Sequence, residues 1–378
     1  MHESKTVLVL SDDASTRNQA EAWLREAGAQ ALVHNDTERA IPPLTELSPL
    51  FALVDVRPSS TNAKIALQTL RTYAAAAAVP LIGVGAREHI HEMFSWGVDD
   101  VLLHPLTQET LTRKFHALRL QRTAAPIGRR PPRKAHRICV ADDDVLFRMR
   151  IGELLESGGY AVTYAASGLE VLETFDGKKP APELLVLDWT MPRLDGPGVL
   201  ESLRRSPAGR ALPVVVVTGM QRDPTLAGAL GRFGVKDLLD KSTLALEGLL
   251  PILDEYLAAQ PVPRQALRVS YLSLAEFRSH DADPWDPAVL FNLSEAGAFV
   301  RTLTPARPGA QVEFRLLRRD DDPLTLSGKV AWAHPYESPS EGGHPPGMGL
   351  EFFDVPPKTR GSLDATIRRA MERTPQGS

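Results

Sequence analysis

Residues 137–148 read RICVADDDVLFR, residues 184–196 read LLVLDWTMPRLDG, residues 213–219 read PVVVVTG and residues 238–241 read LLDK. Each is a short apolar run that ends in polar or acidic residues. Runs of this length, separated by helical patterns, mark strands buried on both faces of a parallel sheet. The strands expected here are Arg137–Ala141, Ala161–Tyr164, Leu184–Asp188, Val214–Thr218 and Val235–Leu239. Upstream the same rhythm recurs at Thr6–Leu10, Ala31–His34, Phe51–Asp55, Pro80–Val84 and Asp100–Leu103. The chain thus reads as an internal repeat of a small doubly wound α/β domain.

Between the copies, Thr123–His136 combines Pro126, Pro131 and Pro132 with Arg129, Arg130, Arg133 and Lys134. Such a segment cannot sustain a helix and reads as a solvated linker. Beyond Gln260, Pro261 and Pro263 end the preceding helix and a two-residue period takes over, in Val312, Phe314 and Leu316 and again in Leu324, Leu326, Val330 and Trp332. Alternation of this kind, broken by Pro, Gly and Asp turns, predicts a small antiparallel β-barrel. A closing helix is expected over Ser362–Arg373. The fold class is therefore α/β plus all-β, with boundaries at 1–122, a linker at 123–136, 137–260, 261–357, and a C-terminal helix and tail at 358–378.

A length of 378 residues fits several cores and not one. Against 47 Asp and Glu there are 43 Lys and Arg, a formal charge of -4, so no global surplus exists to neutralise a DNA backbone and no DNA partner is expected. Cys139 is the only cysteine, which excludes an intrachain disulfide and a multi-cysteine metal site and points to the cytoplasm. Met1–Thr6 lacks an apolar signal core, and the most apolar early stretch, Tyr73–Ala86, is interrupted by Pro80, so membrane insertion is not expected.

In open parallel sheets, ligands bind outside the carboxyl ends of the strands. In the second copy Asp142 and Asp143 follow the first strand, Asp188 ends the third, Thr218 ends the fourth and Lys241 follows the fifth. Three carboxylates converging there would repel one another unless a hard cation joined them, and oxygen ligands suit Mg²⁺. Beside such an ion, one carboxylate can attack a phosphoryl group in line while an ammonium and a hydroxyl hold its other oxygens.

These four stretches resemble the receiver domains of bacterial response regulators, which have a flavodoxin-like (βα)5 fold. The resemblance implies that Asp188 is the phosphoacceptor, with Thr218 and Lys241 binding the phosphoryl group. It also implies that Asp142, Asp143, Asp188 and the Thr190 carbonyl hold Mg²⁺, and that a histidine kinase or phosphotransfer protein is the partner. Two positions depart from the pattern: Leu238 stands where receivers often place a switching aromatic residue, and Ser242 replaces the usual proline. In the first copy, SDDASTR aligned with DDDVLFR sets Ser11 opposite Asp142 and Asp12 opposite Asp143, while Asp55 keeps the nucleophile position. Gly85 and His104 stand where Thr218 and Lys241 do in the second copy. With hydroxyl and ammonium gone, this domain reads as a degenerate receiver serving docking or homodimerisation.

The β region carries Arg264 and Arg268 in RQALR, then Asn292, Ser294 and Gly297 in NLSEAG, then GKVAWA and GMGLEFF. Their order resembles the PilZ domain, which binds cyclic di-GMP. The resemblance implies a nucleotide site of Arg264, Arg268, Asn292, Ser294 and Gly297, and control of motility, polarity or exopolysaccharide. Chemically, guanidinium groups suit the two phosphates and the guanine edges of that ligand. The competing reading is a phosphorylation-controlled scaffold whose barrel binds a downstream protein and no nucleotide. An enzymatic output is not expected, because the haloacid dehalogenase type of phosphohydrolase has a second aspartate where Thr190 stands, and no cyclase or kinase signature is present.

Overall fold

The computed structural model describes residues 5–55, 63–76, 78–123, 136–177, 180–207, 209–219, 224–235, 237–241, 249–257, 267–279, 284–318, 322–334, 336 and 346–372. Arg264, Ser242, most of the 123–136 linker and the tail from 373 lie outside these. Two compact units are present. One comprises Met1–Arg129, Leu272–Phe291 and Ala298–Asp354, the other Arg130–Tyr271, Asn292–Gly297 and Val355–Ser378.

In the first unit, β1 (Thr6–Leu10), α1 (Ala14–Glu26), β2 (Gln30–His34), α2 (Thr37–Glu46), β3 (Phe51–Asp55), α3 (Ala63–Ala76), β4 (Leu81–Gly85), α4 (Ile90–Ser95), β5 (Asp100–Leu103) and α5 (Gln108–Thr123) form a βα series. The strands pair in parallel in the order β2-β1-β3-β4-β5. Side chains alternate between two apolar layers: Leu8, Ala52 and Val101 face one and Val7, Phe51 and Leu102 the other, as strands covered on both faces require.

The second unit repeats the order. It contains β6 (Arg137–Ala141), α6 (Val145–Ser157), β7 (Ala161–Ala165), α7 (Gly168–Glu173), β8 (Leu184–Leu187), α8 (Gly196–Arg205), β9 (Val214–Thr218), α9 (Pro224–Arg232), β10 (Asp237–Asp240) and α10 (Leu249–Leu257). The sheet runs β7-β6-β8-β9-β10. β10 starts two residues later than the apolar run predicts. The cause is the end of α9, where Gly234 takes φ +68° and the Val235 N–H returns to the Leu230 carbonyl at 3.0 Å. Glycine adopts that backbone without strain, so Val235 closes a helix instead of opening a strand.

The remaining strands are β11 (Arg268–Arg278), β12 (Asp286–Leu293), β13 (Gly297–Arg301), β14 (Gln311–Leu316), β15 (Leu324–His334) and β16 (Gly347–Phe353), followed by α11 (Pro357–Glu372). The order β12-β13-β16-β15-β14-β11, with β11 also pairing with β12, closes a six-stranded antiparallel barrel. Burial along β14 and β15 follows the predicted two-residue period. Trp332 stacks on Phe299 at 5.2 Å between centroids, and Gly349 lies beneath its indole, where a Cβ would come within 2.4 Å of the ring. Arg268 and Val269, at the start of β11, pair in parallel with Asp237 and Leu238 of β10, a junction that no sequence pattern predicts. By its prolines the RQALR segment reads as a linker edge, yet its last arginine is the first residue of a strand. α11 begins five residues earlier than expected, because Pro357 is tolerated in a first helical turn.

Candidate functional site

Asp142, Asp143, Asp188, Thr218 and Lys241 each stand at or just past the end of a strand. β6 delivers Asp142, which is 2% exposed, and Asp143, which is exposed. The next aspartate, Asp144, instead caps α6, its carboxylate accepting the N–H groups of Leu146 at 2.9 Å and Phe147 at 3.1 Å. Asp188 follows β8, its own N–H bonded to the Ala141 carbonyl at 2.8 Å. One carboxylate oxygen each from Asp142, Asp143 and Asp188 lie within 4.8 Å of one another. Lys241 follows β10, and its N–H bonds to the Thr218 carbonyl at 3.0 Å. Its ammonium is 2.7 Å from Asp142 Oδ2 and 2.7 Å from Asp188 Oδ2.

The loop after β8 is shaped with equal care. The Thr190 N–H donates to Asp188 Oδ1 at 3.2 Å, so the backbone of this loop is folded back onto Asp188. Further along, Arg193 takes φ +67°, and Leu194 lies over Gly168 so closely that a Cβ there would fall 2.2 Å from the Leu194 carbonyl oxygen. A left-handed non-glycine residue in the loop that follows Asp188 is backbone strain beside the acidic cluster.

Residues 138–250 match the family model of the response regulator receiver domain. An uncharacterized 14.6 kDa protein from the sodA1 3' region of Leptolyngbya boryana is 35% identical over 124 residues, spanning 33% of this chain and 92% of that protein. The chain belongs, through these residues, to the response regulator receiver family. The chemotaxis protein CheY of Treponema pallidum (strain Nichols) is 29% identical over 117 residues, 31% of this chain and 79% of the relative. A solved receiver domain of a sensor histidine kinase from Pseudomonas aeruginosa PAO1, with a magnesium ion coordinated in its active site cleft, shares 23% identity. It covers 33% of this chain and 100% of its own, with a TM-score of 0.30.

In this receiver the acidic cluster has the donor set for a hard cation, and Lys241 is the positive charge that compensates it within the chain. Burial pushes the Asp142 carboxyl above its ordinary 3.8, and the Lys241 hydrogen bond and charge offset only part of that rise. For Lys241, burial works downward but is outweighed by hydrogen bonds to Asp142 and Asp188 and by their charges, so its value is raised.

Two residues without a signature in the motif complete the receiver site. Phe147 places its ring centroid 4.8 Å from the Lys241 ammonium, a cation–π contact from the first turn of α6. Arg148 donates through Nη1 to the Asp142 carbonyl. An aromatic residue in the turn that follows paired aspartates was the available signal for the first. Leu238, at the position noted for its departure from the family, is 2% exposed in the core with Val216 and Leu226. Cys139 lies in β6, and burial pushes its thiol up to about 12. It is therefore expected to resist thiol reagents at pH ~8 in the native chain and to react fully once unfolded, which a timed labelling experiment with and without denaturant checks.

The expected nucleotide residues fall in two places. Arg268 stands in register with Asp237, a buried carboxylate that accepts the Tyr256 hydroxyl at 2.6 Å. Asn292 and Ser294 are buried at and just past the end of β12, and the Ser294 hydroxyl receives the Gly297 N–H at 3.1 Å, which tightens the turn into β13. All four described residues belong to the same compact unit as the receiver. In the first domain, Asp55 is held by Ser11 Oγ at 2.7 Å and His104 Nε2 at 2.8 Å. Its carboxylate is thus enclosed by a hydroxyl and an imidazole, where Asp188 faces two further aspartates. Among the described residues no helix is long and apolar enough to cross a membrane.

Proposed function

We propose that this chain is a two-component response regulator in which a histidine kinase or phosphotransfer protein phosphorylates Asp188, and that its C-terminal barrel is a PilZ-type module that binds cyclic di-GMP. The observation that supports the first half best is the convergence of Asp142, Asp143 and Asp188 around one point with Lys241 bridging two of them. Asp142, Asp143, Asp188 and the Thr190 carbonyl would hold Mg²⁺, which supplies positive charge beside the transferring phosphoryl oxygens. An Asp188 oxygen attacks phosphorus in line, the new P–O bond forms as the P–N bond of phosphohistidine breaks, and the imidazole leaves with the bonding pair. Lys241 and the Thr218 hydroxyl then take the phosphoryl oxygens. The first domain, on this reading, is a degenerate receiver.

For the second half, Arg264, Arg268, Asn292, Ser294 and Gly297 are the proposed nucleotide contacts. The start of β11 makes the two halves interdependent. Arg268 is in register with Asp237 and Val269 with Leu238, and the Asp240 N–H donates to Ser270 Oγ at 3.4 Å. In-register residues of neighbouring parallel strands project to the same face, so Arg268 lies on the face that carries Asp237. Lys241 is the next residue after that strand, and any movement of Lys241 bears on the same pairing.

The same register favours a second reading, in which Arg268 serves only the sheet and the barrel is a protein-binding scaffold. Calorimetric titration of cyclic di-GMP decides between them. The proposal expects micromolar or tighter binding that weakens at least about tenfold in Arg268→Ala and shifts with Mg²⁺ and beryllofluoride. No binding by the unaltered chain under either condition overturns the nucleotide half and leaves the scaffold.

A further inference from the structure

We infer that the first domain is a built-in docking partner of the barrel, and that the two open and unfold as one cooperative body. The surface involved is formed by α4, β5 and α5. At its centre Lys114 and Asp100, 3% and 0% exposed, form an ion pair at 2.8 Å. The same Asp100 Oδ2 accepts the Leu303 N–H of the barrel at 2.8 Å, and Lys114 also donates to Thr304 Oγ1 at 3.2 Å. Asp100 Oδ1 receives the Val101 N–H at 2.8 Å. A backbone N–H from the barrel thus completes the bonding of a buried carboxylate in the first domain. An ion pair enclosed in this way is costly to break from either side, because the group left behind stays buried and charged.

Around this centre the contacts continue. Arg113 Nε meets Asp286 at 2.7 Å and Arg113 Nη2 donates to the Trp285 carbonyl at 2.7 Å. Arg301, 5% exposed, lies with its guanidinium 4.7 Å from the Phe94 centroid. Apolar layers are shared as well: Leu274 and Val289 belong to the cluster of Leu8, Ile90 and Met93, and Leu303 to that of Leu111 and Phe115. A core shared across two folds has no interior left at which one can open without exposing the other.

The opposite end of β5 is tied to the first domain as well. His104 follows β5 and holds Asp55, whose other oxygen takes Ser11. A histidine stands there where the middle receiver has Lys241.

Amide hydrogen exchange on the full chain tests this. Peptides from β5 and α5 and from residues 286–291 and 301–304 are expected to share one opening rate in the unaltered protein. In Arg113→Ala, which removes a partly exposed contact and leaves both folds, those rates should rise together by about tenfold, with peptides from 137–219 unchanged. Lys114→Met should give the same pattern more strongly. Independent rates for α5 and the barrel peptides in the unaltered chain, or acceleration on one side alone in Arg113→Ala, would overturn the inference.

Discussion

Asp188→Asn is expected to abolish phosphoryl uptake from acetyl phosphate, by at least about a thousandfold, while Asp55→Asn leaves uptake unchanged. The two substitutions are chemically identical and the sites differ only in their surroundings. At Asp188 the carboxylate stands with oxygens of two further aspartates inside 4.8 Å and an ammonium at 2.7 Å. An amide has no nucleophilic oxyanion, and it also removes one of the negative charges that would attract a divalent cation. At Asp55 both oxygens are engaged, one by Ser11 and one by His104. Among the described residues, a phosphoryl group arriving there would meet neither an acidic cluster for a metal nor the lysine of the working site. Intact mass after incubation with Mg²⁺ and donor reads the result directly. Uptake that survives Asp188→Asn and disappears in Asp55→Asn would reverse the assignment of the working and the degenerate site.

The strand-end positions of Asp142, Asp143, Asp188, Thr218 and Lys241 were legible because each closes or follows an apolar run. Apolar runs fix where β6, β8 and β9 stop, and whatever follows a stop must face the ligand edge. The first domain was legible in the same way, strand by strand. What the residues could not announce were contacts made by distant segments. Asp100 and the Leu303 N–H are 203 positions apart, and nothing in DVLL or RTLT marks them as partners. Asp100 looks like a strand-opening carboxylate and Lys114 like an exposed helical lysine, yet both are buried. Arg268 shows a second limit. Alternation tells which residues form a strand but not which edge it joins, and β10 offers only four residues to pair with. The register that sets Arg268 beside Asp237 is a backbone property, invisible in side-chain pattern.

Lys241→Met should turn the middle receiver into a domain whose stability depends on Mg²⁺. The methionine keeps the length of the stem and its contact with the Phe147 ring but removes the charge shared by Asp142 Oδ2 and Asp188 Oδ2. Both carboxylates are almost fully buried, 3% and 6% exposed, so their repulsion is screened far less than it would be at a surface. Removing one partner of a buried ion pair costs about 3–5 kcal/mol, a large share of the roughly 5–15 kcal/mol that keeps a domain folded. A divalent cation can take over the role of the ammonium, since it binds the same oxygens. At a hundredfold excess over its dissociation constant it restores about 2.7 kcal/mol. In the unaltered chain the ion must displace Lys241 from two oxygens, so the variant is expected to bind Mg²⁺ more tightly, by about tenfold, while taking up phosphoryl groups more slowly for want of the ammonium. Cys139, sealed in β6, gives the readout: its labelling in Lys241→Met should be fast without metal and slow progressively with added Mg²⁺, whereas in the unaltered chain it stays slow throughout. A labelling rate in the variant that ignores Mg²⁺ would mean that these carboxylates do not share one cation.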